Sequence, residues 1–261
     1  MSRIRVMVAG ANGRMGRQVV QMVLKDKELE YLGGIDPSFP AENESILKNY
    51  PLYKNFEEAI IERRPDVVVD FTTPQTVKQN TEIALRMGVS PVIGTTGLTY
   101  EEILQLDKLA KEREIGGIVA PNFAIGAVLM MRFAQIAAKY MPNVEIIEMH
   151  HDQKLDAPSG TAIKTAELIA RERKEILQGH QDEKEIVKGS RGGEYSGFRI
   201  HSVRLPGLVA HQQVIFGDQG QTLTIRHDSI NRESFMPGVN LAIKRVRTLS
   251  GIVYGLEHLL D

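Results

Sequence analysis

The chain of 261 residues contains no cysteine. Disulfides, thiolate catalysis and Cys-based zinc or iron–sulfur sites are therefore excluded, and the lack agrees with a reducing compartment. Neither sign of charge is in excess: Lys plus Arg total 32 against 33 for Asp plus Glu, a net charge of −1. Such a balance gives no global field toward nucleic acid or an anionic membrane. Nor does the sequence hold a run of about 18 apolar residues, the length a membrane span needs. Met1 to Gly10 interleave apolar positions with Arg3 and Arg5, which reads as a strand rather than a secretory leader. A soluble cytoplasmic protein with no membrane or nucleic-acid partner is the expectation. What is present, 42% hydrophobic and 25% charged residues, suits one large globular domain or two modest ones.

Through the first 120 residues short β-rich runs alternate with helical patterns. Strands are expected at Ile4–Ala9, Tyr31–Ile35, Asp66–Phe71, Pro91–Ile93 and Gly117–Val119. Val67-Val68-Val69 suits a strand buried on both faces. Helices are expected at Met15–Leu24, Phe56–Arg63, Pro74–Met87 and Tyr100–Lys111. This alternation predicts a parallel sheet covered by helices. Beyond Pro121-Asn122 the pattern changes. A helix over Ala124–Tyr140, a strand over Val144–Met149 and a helix over Ser159–Leu177 precede three β-like runs, Phe198–Arg204, Leu208–Phe216 and Thr222–His227. A last helix is expected from Ser234 to Leu249, and the charged, Gly-containing stretch Lys174–Gly193 reads as a mobile surface loop. The fold class is therefore α/β, with an α+β unit after the first crossing.

Strand Ile4–Ala9 runs into Gly10-Ala11-Asn12-Gly13-Arg14-Met15-Gly16 and then a helix. Glycines at such a turn let backbone approach a pyrophosphate, and a helix N-terminus favours its charge. The spacing is G-x-x-G-x-x-G, so Asn12 stands where the usual motif has its second glycine. Asp36, 20 residues past Gly16, closes the second strand and can accept ribose hydroxyls. A Gly-rich turn followed by an ordinary surface aspartate is the bland alternative. Asp36 would repel a 2′-phosphate and so favours NAD, whereas Arg14 could reach that phosphate and permit NADP; both stay open.

At the end of strand Val144–Met149 lie His150, His151 and Lys154, followed by Asp156-Ala157-Pro158-Ser159-Gly160-Thr161 opening a helix. His150 can act as acid or base near neutral pH. Lys154 supplies a cation, Ser159 an N-cap, and the N–H groups near Gly160 and Thr161 an anion pocket. The set suits a small dianionic substrate beside a proton donor. A purely structural pair of histidines is the plain alternative. H-H-x-x-K lacks the spacing of a helical zinc site and carries a cation in its middle, so no metal is expected.

Glu148 to Ala162 closely resembles the signature of the 4-hydroxy-tetrahydrodipicolinate reductase (dihydrodipicolinate reductase) family. The likeness extends to Gly10–Gly16, Gly94-Thr95-Thr96-Gly97, Ala120-Pro121-Asn122-Phe123 and Ser202 to Gly207. The resemblance implies an NADH- and/or NADPH-dependent oxidoreductase of diaminopimelate and lysine biosynthesis. It implies that Gly10, Ala11, Asn12, Gly13, Arg14, Met15 and Asp36 bind the dinucleotide, with Gly94, Thr95 and Thr96 near the nicotinamide. Ala120, Pro121, Asn122 and Phe123 would form a hinge segment on the cofactor side. His150 and Lys154 would be proton donors, and His151, Gly160 and Thr161 would hold a small dicarboxylate substrate. In the family the acid is often followed by a basic residue; here Pro37 follows. The implied architecture is a Rossmann-type domain, 1–122 with 231–261, and a substrate-binding and tetramerisation domain, 123–230. Rival readings are another two-domain dehydrogenase and a non-catalytic NAD(P)-sensing protein.

Overall fold

The computed structural model describes residues 2–38 and 49–260, which divide into two compact units. One comprises Met1–Phe123 and Phe235–Asp261, the other Ala124–Ser234. The second crossing thus falls at Phe235, where the sequence suggested residue 231.

Among the described residues the first unit has seven strands: β1 (Ile4–Ala9), β2 (Leu29–Ile35), β3 (Leu52–Tyr53), β4 (Val67–Asp70), β5 (Ser90–Ile93), β6 (Gly116–Val119) and β12 (Gly251–Tyr254). Their order is β12-β6-β5-β4-β1-β2-β3, and every pairing is parallel. The order reverses between β1 and β4, and right-handed crossovers then send helices to opposite faces. Helix α1 (Arg14–Lys25) packs with α7 (Met236–Arg245), while α2 (Phe56–Arg63), α3 (Val77–Arg86) and α4 (Tyr100–Glu112) pack in succession. This is a Rossmann-like arrangement. Val67, Val68 and Val69 are all buried, as a strand covered on both faces requires. Each such side chain removed from water stabilises the fold by roughly 1.5–3 kcal/mol.

Local chemistry sets the helix starts. Thr99 and Glu102 form a reciprocal capping box on α4, and the Asn55 side chain accepts from Glu58 N–H to start α2. Helix α1 differs, for its N-cap is Gly13 and no side chain caps it.

In the second unit five strands lie in the order β11-β10-β7-β9-β8: β7 (Asn143–His150), β8 (Gly193–Tyr195), β9 (Phe198–Arg204), β10 (Ala210–Asp218) and β11 (Gln221–Ser229). Only β7 and β9 pair in parallel; the other three pairings are antiparallel. Helices α5 (Ile125–Ala138) and α6 (Gly160–Glu172) pack on each other; α5 also touches β10 and β11, and α6 touches β7. Phe198 and Phe216 are the largest side chains fully buried in this unit.

Three departures from the sequence reading have physical causes. Helix α6 ends at Glu172, short of Leu177, because Arg173 turns extended. Its guanidinium donates to the carbonyls of Pro142, Ser196, Ile176 and Gly197 and lies 5.2 Å over the Phe198 ring. The last helix spans only Met236–Arg245: Pro237 fits within its first turn, and Thr248 Oγ1 takes the Arg245 carbonyl as the chain tightens and then extends. The apolar residues that follow form β12, not foreseen, which adds to the sheet beside β6. Strands β3 and β8 are too short to show a period of two in sequence. Between Glu172 and Gly193 there is neither helix nor strand.

Candidate active site

In the first unit the predicted residues gather at one edge of the sheet. Gly10 follows β1, Asp36 follows β2, Gly94 follows β5 and Ala120 follows β6, so all lie at the carboxyl ends of parallel strands. Ligands of open α/β sheets bind along this edge, at the point where strand order reverses. Gly10 adopts φ +74°, and a Cβ there would lie 2.4 Å from the Phe71 carbonyl oxygen. A Cβ at Gly16 would lie 2.0 Å from the Gly10 carbonyl oxygen, so only glycine lets α1 approach the turn. Asn12, the departure from the usual motif, is held firmly. Its N–H donates to Asp36 Oδ2 (2.9 Å), and Arg17 donates to its carbonyl (2.7 Å) and Oδ1 (2.6 Å). Ala11 is buried, Arg14 is exposed at the start of α1 and Met15 is half-buried.

A cavity of about 600 Å³ opens beside this turn, lined by Gly10, Gly13, Asp36, Phe71 and Thr72 among others. The Asp36 carboxylate is buried and accepts from Asn12 on one oxygen and from Ser38 on the other. The sequence reading missed Thr72, Thr73 and Thr76, whose hydroxyls form a chain on the cavity wall (3.1 and 3.2 Å). The F-T-T-P turn after β4 was the available signal. Asp70 ties this edge together: its carboxylate accepts from Thr72 N–H and Oγ1, Thr95 Oγ1 and Asn80 Nδ2. Thr95 is buried, Thr96 and Pro121 exposed, Asn122 half-buried. Ala120 N–H donates to the Ile93 carbonyl, and the Phe123 ring lies 6.0 Å from that of Phe71. These features fit a dinucleotide: an uncapped helix N-terminus, a turn with no room for side chains and an acid beside a cavity.

In the second unit β7 delivers His150, the N–H of Lys154 turns back to the His151 carbonyl (3.2 Å), and α6 begins at Gly160. Glu148, two residues before His150 and on the same face of the strand, is fully buried. It accepts from His150 Nδ1 (2.5 Å), from both terminal nitrogens of Arg204 (2.7 and 2.9 Å) and from Ser159 N–H (3.2 Å). Burial pushes the Glu148 carboxyl upward, but hydrogen bonds from His150, Arg204 and Ser202 and the imidazole's charge outweigh it, holding the group at about 2. Arg204 also donates to the Asp156 carbonyl (2.8 Å), and Lys154 Nζ pairs with the Asp156 carboxylate at 2.7 Å. That bond to Lys154 keeps Asp156 below its ordinary range. Ser159 caps α6 by accepting from Ala162 N–H (3.2 Å), with Gly160 and Thr161 in the first turn. His151 is exposed. One hydrogen-bonded network therefore joins the ends of β7 and β9 to the start of α6. Glu148 and Arg204 are its centre, and neither was assigned a role from sequence. Their meeting depends on the β7–β9 register, Glu148 opposite Ser202 and His150 opposite Arg204. Among the described residues no group of three His, Asp or Glu side chains converges as a metal site.

Two family descriptions, dihydrodipicolinate reductase N-terminus and dihydrodipicolinate reductase C-terminus, match residues 4–123 and 126–260. The chain belongs to the dihydrodipicolinate reductase family. A relative from Geobacillus kaustophilus named 4-hydroxy-tetrahydrodipicolinate reductase is 57% identical over 99% of both chains. One of the same name from Listeria welshimeri is 54% identical over 99% of this chain and all of its own length. A dipicolinate-bound dihydrodipicolinate reductase from Paenisporosarcina sp. TG-14 shares 51% identity, with a TM-score of 0.90 over 98% of this chain and 99% of its own. Membership in this reductase family spans both units, including residues 236–260, which return to the first one. No described helix is long and apolar enough to cross a membrane.

Proposed function

We propose that the protein reduces 4-hydroxy-tetrahydrodipicolinate to tetrahydrodipicolinate with NADH or NADPH, in diaminopimelate and lysine biosynthesis. The observation that carries this reading is the end-to-end match to relatives named for that reaction. The dicarboxylate held by the structural relative, dipicolinate, supports the substrate class.

The reduced nicotinamide, when bound, supplies a hydride to the cyclic imine formed by loss of water from the substrate. The protein's own task is to hold both partners and provide one proton. Gly10–Met15 and the N-terminus of α1 cradle the pyrophosphate, and Asp36 accepts from the ribose. Gly94, Thr95, Thr96 and Ala120–Phe123 form the wall near the nicotinamide. In the second unit Gly160, Thr161 and His151 hold the substrate carboxylates. The two electrons added to the conjugated ring leave an enamine, and His150 with Lys154 delivers the proton that completes it. General acid help of this kind is worth about 10²–10⁴-fold. Residues 1–123 with 235–261 act as the cofactor domain and 124–234 as the substrate domain. The enzyme works in the cytoplasm as a homotetramer assembled through the second domain, an assembly that sedimentation of a monomer would rule out. The deciding assay supplies freshly generated substrate and follows absorbance loss from NADH and NADPH in separate reactions. Tight cofactor binding without turnover would instead favour a nucleotide sensor.

A further inference from the structure

We propose that Glu148 is a positioning residue for His150, holding the imidazole by Nδ1 so that Nε2 is the nitrogen that exchanges the proton. The proposal rests on the reading of His150 as the proton donor and adds what that reading leaves open, namely which nitrogen acts and what selects it.

A neutral imidazole carries its proton on either nitrogen, and the hydrogen bond at one decides the state of the other. Glu148 is fully buried and takes His150 Nδ1 at 2.5 Å. An ionised carboxylate only accepts hydrogen bonds, so Nδ1 must donate whether the ring is neutral or cationic. Exchange is thereby confined to Nε2. The carboxylate stays ionised because Arg204 meets both its oxygens and Ser159 N–H adds a further donor. The titratable and charged groups against Glu148 are His150 on its own strand and Arg204 on β9. Its cross-strand neighbours, Gln212 on β10 and Ser202 on β9, are neutral, and α6 offers a backbone N–H.

A purely structural ion pair would need only Arg204. The third contact, to the residue that ends β7, is what a structural role does not require. The same carboxylate anchors Ser159 at the start of α6, so ring orientation and the anion pocket share one support.

Two measurements test this. In Glu148→Gln the neutral amide can either donate to or accept from Nδ1, so the tautomer is no longer fixed. Turnover should fall at least about tenfold, the pH profile of kcat/KM should change, and NADH affinity should hold. Unchanged kcat and pH profile in E148Q, with His150→Gln inactive, would remove this inference and leave the reaction assignment intact. Full turnover in His150→Gln would instead remove the proton-donor reading beneath it. If E148Q does not fold, ¹⁵N NMR of the wild-type imidazole decides. A neutral ring protonated on Nδ1 is expected, and one protonated on Nε2 overturns the proposal.

Discussion

The two candidate sites are made from different materials. At the sheet edge of the first unit the groups are mostly backbone, glycine and hydroxyl, drawn from the ends of β1, β2, β4, β5 and β6. In the second unit they are ionisable side chains on one strand-loop-helix segment, held by a single arginine from β9. A surface that receives a large cofactor needs shape and free N–H groups. A place that must move a proton needs fixed charge beside a titrating group. The first is therefore sensitive to added volume, the second to lost charge.

The largest expected effect lies in the second unit. Replacing His150 by Gln should lower kcat by about 10²–10⁴-fold while NADH affinity, by titration calorimetry, stays near that of wild type; a parallel loss of both would blur the distinction drawn above. Next comes volume at the cofactor edge. Gly16→Ala puts a methyl 2.0 Å from the Gly10 carbonyl oxygen, so the turn must shift, at a cost of about 1–3 kcal/mol in stability. NADH binding should weaken at least tenfold, about 1.4 kcal/mol, and a fully active G16A enzyme would contradict the packing argument. A smaller effect concerns cofactor choice. Asp36 is a buried carboxylate lining the cavity, and on the proposed reading it would repel a 2′-phosphate, so NADH should serve at least as well as NADPH in steady-state kinetics. A hundredfold preference for NADPH would show that other cations on that edge outweigh Asp36. The smallest is Ser159→Ala, which removes the α6 cap and should lower stability by about 1 kcal/mol, seen as a Tm a few degrees lower in a thermal melt.

Much of the fold was legible because its signals are local. The strand-Gly-turn-helix at Ile4–Lys25, the Val67–Val69 run and the N-cap at Ser159 each announce themselves within a few residues. What escaped depends on partners far away in sequence. Strand β12 lies just past the helix expected to end at Leu249, and its four residues show no strand signal until β6 is beside them. Glu148 reads as one more polar residue in a strand until register brings Arg204 across from His150. The departure at Asn12 could be read as a weakness in the motif. In the structure it is a junction, bonded to both Asp36 and Arg17.

The addition of β12 beside β6 carries a consequence for how the chain is made. Gly116–Val119 leaves the ribosome long before Gly251–Tyr254, with the whole second unit translated between them. Until then β6 presents an unpaired, apolar sheet edge, the kind of surface that captures other strands. Its completion is guarded on arrival, for Asp107 of α4 accepts from Ile252 N–H at 2.9 Å and so covers a donor on the new outer strand. Translation order thus leaves the nascent sheet exposed for the time taken to synthesise more than a hundred residues, and the last strand ends that exposure.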